Sequence, residues 1–186
     1  LFVYASCPTA LDRVRRCLVV GAGKSLGKIE VAKGNVVLAD TTTCANGEKV
    51  VLEDSAFVRE LSESSSATAI AKTLHPLLFA QGDLGISEAD FLKRFAVLND
   101  EDFGWYAQHA TQVDTRIALD PATKTVKDGA LFTQESVPPE AVFVSLITCD
   151  APRVKEGELS QITTAAAALT ALKTDLPQVL QVGSDA

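Results

Sequence analysis

The chain has 186 residues, 47% hydrophobic and 22% charged, which is enough for one domain with a proper core, and no apolar run approaches the ~20 residues that span a bilayer. A net charge of −7 excludes indiscriminate polyanion binding through the whole surface, because phosphate attracts concentrated Lys and Arg. The four cysteines, Cys7, Cys17, Cys44 and Cys149, are too irregularly spaced for a disulfide framework or, with only His75 and His109 beside them, a zinc site; free thiols are expected.

The opening Leu1-Phe2-Val3-Tyr4-Ala5 reads as a strand with no basic region ahead of an apolar stretch, so no signal peptide is indicated and the cytoplasm is the expected location. The chain contains no methionine, which points to an internal piece trimmed at its ends. Ser6 as N-cap and Pro8 in the first turn open a helix on which Leu11, Val14 and Leu18 recur at three and four residues, giving one apolar face. Arg13, Arg15 and Arg16 cannot all lie on that face. They form either a solvated surface or one that meets RNA or an acidic neighbour. With Lys24, Lys28 and Lys33 they outnumber Asp12 and Glu30, giving the first thirty-three residues a local charge of +4.

The run Ala22-Gly23-Lys24-Ser25-Leu26-Gly27-Lys28 combines glycines with Lys and Ser but lacks the G-x-x-x-x-G-K-[ST] spacing of a phosphate loop, and it leads into strand-like Ile29-Glu30-Val31. It reads as a connection. Residues 28–32 and 35–39 suggest a hairpin through Lys33-Gly34, with a third strand at 49–53 after an Asn46-Gly47 turn. A polar break at 62–66 precedes three short helical stretches, 67–78, 87–98 and 100–110. Ser87 before Glu88 and Asp90 marks one N-terminus, and Asn99 before Asp100, Glu101 and Asp102 marks the next.

Clustered carboxylates are candidates for metal binding or acid–base work, and Asp100, Glu101 and Asp102 are such a nuclease-like group in sequence. At a helix start they more simply satisfy free N–H groups and the positive end of the dipole, and no His or Lys accompanies them at a useful spacing. His75 and His109 read as packing or surface residues, and no Ser-His-Asp or Cys-His arrangement nominates a nucleophile. From Gln112 the pattern alternates again. Strands are expected at 113–119, 126–133 and 141–149, with a polar turn at 120–125 and a last helix over 158–174 carrying Ile162, Ala166, Leu169 and Leu172 along one side. The expectation is an α+β domain in which the strands on both sides of the helical block share one sheet.

The run Thr115-Arg116-Ile117-Ala118-Leu119-Asp120, then Thr123-Lys124-Thr125-Val126-Lys127-Asp128-Gly129-Ala130-Leu131-Phe132, then Glu135 and Val137-Pro138-Pro139-Glu140 resembles a segment of RAMP-superfamily proteins. In these a T-R-I strand, a turn, G-A-L-F and E-x-x-P-P-E follow in that order. The resemblance is to the backbone subunit of type III-B CRISPR effector complexes. Tyr4-Ala5-Ser6-Cys7-Pro8 ahead of the Arg-rich helix, and Leu176-Pro177 to Val182-Gly183, resemble that subunit too, so the similarity spans most of the chain.

That resemblance implies a ferredoxin-like, RRM-related RAMP core with an antiparallel sheet, all of 1–186 forming a single domain fragment, with a helical insertion at 67–110 and a β-hairpin thumb at 115–135. It implies a filament-forming subunit that stacks with copies of itself and other effector subunits along guide RNA and grips target RNA, with no membrane partner. The implied RNA-binding positions are Arg13, Arg15, Arg16, Arg116, Lys124 and Lys127, since cations on a helix face or in a polar turn can reach phosphates. In the family, target RNA is cut by a metal-dependent step needing an Asp in an N-terminal loop. That loop and a glycine- and serine-containing guide-binding loop are missing from these residues. A divalent metal is therefore expected for the intact parent, and no cofactor, catalytic residue or metal ligand for this chain. The alternative is a protein-interaction scaffold without direct RNA contact.

Overall fold

A computed structural model describes residues 3–40, 48–79, 86–119, 122–139, 141–151, 162 and 164–176. The chain divides into two units, Leu1–Val144 and Ser145–Ala186. The first unit holds β1 (Tyr4–Ser6), α1 (Pro8–Ala22), β2 (Asn35–Leu38), β3 (Lys49–Leu52), β4 (Ser55–Arg59), α2 (Ser64–Leu78), α3 (Glu88–Arg94), β5 (Phe95–Leu98), α4 (Asp100–His109), β6 (Gln112–Leu119) and β7 (Val126–Ser136). In the second, α5 (Ala165–Asp175) starts where the Thr164 hydroxyl accepts from the Ala167 amide.

Five strands form a sheet in the order β1-β5-β2-β4-β3. Within it, β2 and β4 are a parallel central pair flanked by antiparallel β5 and β3, which is the ferredoxin-like arrangement, and β1 adds to β5 in parallel at the edge. Because successive strand residues point to opposite faces, Val36-Val37-Leu38 and Phe95-Ala96-Val97-Leu98 feed two cores at once. Val37, Phe95 and Val97 meet Leu11 of α1, Ala67, Ile70, Ala71 and Leu74 of α2 and Phe91 of α3. Val36, Leu38, Ala96 and Leu98 join Val50 and Phe57 under Phe103 and Tyr106 of α4.

Several elements differ from the reading of the sequence. The helix expected over 87–98 stops at Arg94, and Phe95–Leu98 becomes an inner strand of the sheet, buried on both faces, inside the stretch taken as a helical insertion. Residues 28–32 are not a strand: Leu26, Ile29 and Val31 are buried pins, and Lys33-Gly34 makes a turn (Gly34 φ 76°) whose Gly34 amide donates to Asp102 rather than to a hairpin partner. Strand β4 was not anticipated; it follows β3 through a turn in which Glu53 takes φ 51°. The N-cap of α1 is Cys7, whose Sγ accepts from the Ala10 amide at 3.4 Å, not Ser6. Residues 141–149 form no strand, and of the helix expected over 158–174, residues 158–161 and 163 lie outside the described residues. The strands after α4 do not join the main sheet. Instead β6 and β7 pair with each other as a separate two-stranded ribbon.

Candidate nucleic-acid interface

The ribbon forms because Thr115-Arg116-Ile117-Ala118 and Leu131-Phe132-Thr133 are rich in β-branched and aromatic residues and flank a polar turn. Its register sets Val113 opposite Glu135, Thr115 opposite Thr133 and Ile117 opposite Leu131 on one face. On the other face Asp114 stands opposite Gln134 and Arg116 opposite Phe132. Directly opposed residues have Cβ atoms about 5 Å apart, so an arginine and an aromatic ring share one spot of this surface. Arg116 is exposed and Phe132 is 52% exposed. Beyond a register irregularity between Ile117 and Leu119, Lys124 stands in the turn with φ 57° and an exposed side chain. Lys127 lies in β7, close to its start.

The other predicted cations sit on α1. Arg15 donates from Nε to Asp12 Oδ1 at 3.0 Å, and Arg16 Nη1 lies 3.3 Å from Asp12 Oδ2. Arg13 is exposed on the same helix. Hydrogen bonding from Arg15 holds the Asp12 carboxyl below its ordinary value against desolvation, and the charges of Arg15, Arg16 and Lys28 add to this. The structure therefore gathers Arg15 and Arg16 around one carboxylate.

Each carboxylate at the start of α4 has a structural partner. Asp100 accepts from the Thr9 amide at 2.9 Å and the Thr9 hydroxyl at 3.0 Å, Glu101 pairs with Lys33 Nζ at 2.6 Å, and Asp102 accepts from the Gly34 amide at 2.9 Å. Asn99 caps the helix through the Glu101 amide and donates to Val31 O at 2.8 Å. These groups tie α4 to the β1–α1 junction and to the turn before β2, so they do not fit a divalent cation; among the described residues no group of three or more His, Cys, Asp and Glu could hold one. His75 packs between Phe79 and Phe91 with Nε2 donating to Ile86 O, and His109 stacks on Trp105 at 4.7 Å. Both are accounted for by packing. Burial pushes the Cys7 thiol up to about 11, so it is a poor nucleophile; Cys7, Cys17 and Cys149 are free.

A family profile described as the RAMP superfamily matches residues 5–184. The chain belongs to the RAMP superfamily. This RAMP chain is 25% identical over 164 residues to the CRISPR system Cmr endoribonuclease Cmr4 of Pyrococcus furiosus, a match covering 87% of the chain and 52% of that protein. It thus spans about half the length of that relative. Its fold is similar to the crystal structure of oligomeric Cmr4 from Pyrococcus furiosus (TM-score 0.57, 18% identity) and to a second Cmr4 crystal structure (TM-score 0.55, 17% identity), each covering 98% of this chain and 60% of the other. Among the described residues of the RAMP chain, no helix is long and apolar enough to cross a membrane.

Two features of this RAMP surface escaped the sequence reading. The Arg116–Phe132 pairing depends on ribbon register, which no local pattern specifies once both faces are exposed. The influence of the Lys28 charge on the Asp12 carboxylate depends on how the loop after α1 folds back. The buried positions 26, 29 and 31 of that loop were a usable signal, since an apolar residue on either side of Lys28 holds its backbone down while the lysine stays exposed.

Proposed function

We propose that this chain is part of a guide-RNA-binding, filament-forming backbone subunit of a cytoplasmic CRISPR RNA-targeting effector complex, with guide RNA, target RNA, further copies of itself and other effector subunits as partners. The observation that carries this reading is the projecting ribbon, with Arg116 and Phe132 opposed on one face and Lys124 in its turn. An exposed aromatic ring offers a stacking platform to any base, and cations nearby meet the phosphates on either side of it. Membership of the RAMP superfamily and the likeness to Cmr4 support the same reading. RNA cleavage and the divalent metal it needs belong, in this proposal, to the intact parent protein rather than to a site among these residues.

A second reading, a scaffold subunit that packs against neighbours without touching RNA, is favoured by the apolar character of the ribbon's other face, where Ile117 and Leu131 are exposed. Salt separates the two. A phosphate contact on a single strand contributes ~0.7 to the slope of log K against log salt, whereas an apolar interface does not weaken with salt in this way. Placed in the full-length protein, Lys124→Ala with Lys127→Ala is expected to reduce the slope by ~1.4 and weaken RNA binding. In the same series Phe132→Ala is expected to cost roughly 1–3 kcal/mol of affinity with the slope unchanged, the signature of one lost stacked base. Unchanged affinity and slope in both folded variants would favour the scaffold.

A further inference from the structure

The ribbon that carries Arg116, Phe132 and Lys124 stands apart from the rest of its unit. Its two strands pack chiefly on each other, and no described side chain of either joins the two buried cores. A lone two-stranded ribbon is marginally stable at best, so its direction is set by what holds its base. Strand β6 leaves α4 after only Ala110 and Thr111. At the same base the Ser136 hydroxyl donates to Gln112 O at 3.5 Å. The entry to the ribbon therefore follows the orientation of α4.

Helix α4 buries no residue completely, and Phe103 and Tyr106 pack against the core beneath it only in part. Polar contacts decide its position. At its start Asp100, Glu101 and Asp102 reach Thr9, Lys33 and Gly34. Toward its end the half-buried Tyr106 donates from its hydroxyl to Leu52 O, in the last residue of β3, at 2.8 Å, with its ring 6.2 Å from that of Phe57. The carbonyl of the same residue accepts from the Ala110 amide at 2.8 Å. Tyr106 thus joins the edge strand of the sheet to the first residue of the connection into β6. After it on α4, the His109 side chain bonds only within the helix, to Trp105 O. At a rise of about 3.4 Å per residue the eight residues of β6 extend ~27 Å, so a few degrees of play at the end of α4 become ångströms at the ribbon turn.

We infer that Tyr106 is a positioning residue for the ribbon: its hydroxyl, by fixing the last turn of α4 to Leu52, orients Phe132 for stacking on a base. This deepens the RNA-binding reading above and rests on it. Stacking needs a ring presented at a set angle, whereas a lysine on its flexible stem reaches a phosphate from many directions. Tyr106 touches no RNA itself. It holds the ribbon in place beforehand, which reduces the ordering that binding would otherwise require.

The test uses the full-length protein and a labelled single-stranded oligouridylate, titrated at several salt concentrations. Tyr106→Phe removes the hydroxyl and leaves the ring against Phe57, so charge and packing stay as they are. It is compared with wild type, with Phe132→Ala and with the double variant, and binding is read well below the melting transition of each, so that loss of folded protein does not enter. The expected result for Tyr106→Phe is binding weaker by about 2- to 10-fold, the range that one net hydrogen bond can supply, at an unchanged salt slope because no phosphate contact is lost. In the Phe132→Ala background the same substitution is expected to change nothing, since the ring it orients is gone. Equal weakening in both backgrounds would mean that Tyr106 acts elsewhere than through Phe132, and unchanged affinity in Tyr106→Phe alone would mean that the ribbon does not need this anchor. Either result overturns the inference, and the RNA-binding reading stands if Phe132→Ala by itself still weakens binding. Absence of salt-dependent RNA binding by wild type would remove the functional reading, and this inference with it.

Discussion

Asp100 shows how one side chain can settle a question that spacing leaves open. Burial pushes its carboxyl up, but hydrogen bonds from the Thr9 amide, the Cys7 thiol and the Thr9 hydroxyl outweigh that effect, so the group titrates below its ordinary value. It thereby serves two helices, starting α4 while accepting from the first turn of α1 across 91 residues of sequence. Losing the acceptor of a free first-turn amide costs about 1 kcal/mol, so Asp100→Ala is expected to lower stability by roughly that amount at neutral pH. A carboxyl whose folded value is depressed contributes stability that is present above its unfolded value, near 4, and is lost as pH falls through the folded value. The gap in melting temperature between wild type and Asp100→Ala should therefore be constant near neutrality and close as the pH drops below about 4. A gap that persists at low pH would mean that the carboxylate is not the stabilising form. Taking the difference removes Asp12 and Asp90, which are depressed too and titrate alike in both proteins.

At the scale of elements, what was legible is what local chemistry determines. Helices α1 and α4 follow from Pro8 and from Asn99 with its carboxylates, and β6 and β7 follow from alternation on either side of a polar turn. Strand β5 was hidden because Phe95-Ala96-Val97-Leu98 is apolar at every position, and a short run of that kind has no period by which to tell strand from helix. Its register with β1 on one side and β2 on the other settles the matter in three dimensions only. The same limit explains why β6 and β7 were expected in the main sheet: alternation announces a strand but does not name its partner. Because β5 is an inner strand, its side chains should be costly to shorten. Leu98, fully enclosed and packed with Val36, Leu38 and Phe57, is expected to lose about 2–5 kcal/mol as Leu98→Ala, read from the shift in denaturant midpoint at unchanged slope. A loss below about 1 kcal/mol would mean that this face of the sheet is loosely packed.

For the molecule as a whole, the candidate site divides along the same line. The cations were visible as residues, whereas their grouping was not: the charge of Lys28 bears on Asp12 only because the loop after α1 folds back, and Arg116 stands opposite Phe132 only through ribbon register. The acidic residues carry the opposite lesson. Asp100, Glu101 and Asp102 stand together in sequence as a metal site would, but each accepts from a different donor, Thr9, Lys33 and Gly34, that belongs to another part of the first unit. A cation bound there would have to displace contacts that anchor α4, so the group resists the role its spacing suggests. Asp114, a carboxylate of the ribbon, accepts from Gln112 at 3.1 Å. Incubated with labelled RNA and Mg²⁺ or Mn²⁺, these 186 residues alone are accordingly expected to leave the RNA intact. Cleavage that needs the metal and disappears in Asp102→Asn or Asp114→Asn would overturn this and return the carboxylates to catalysis. Loss of cleavage through Asp102→Asn would be decisive only with an unchanged melting curve, because the Gly34 contact makes that residue structural as well.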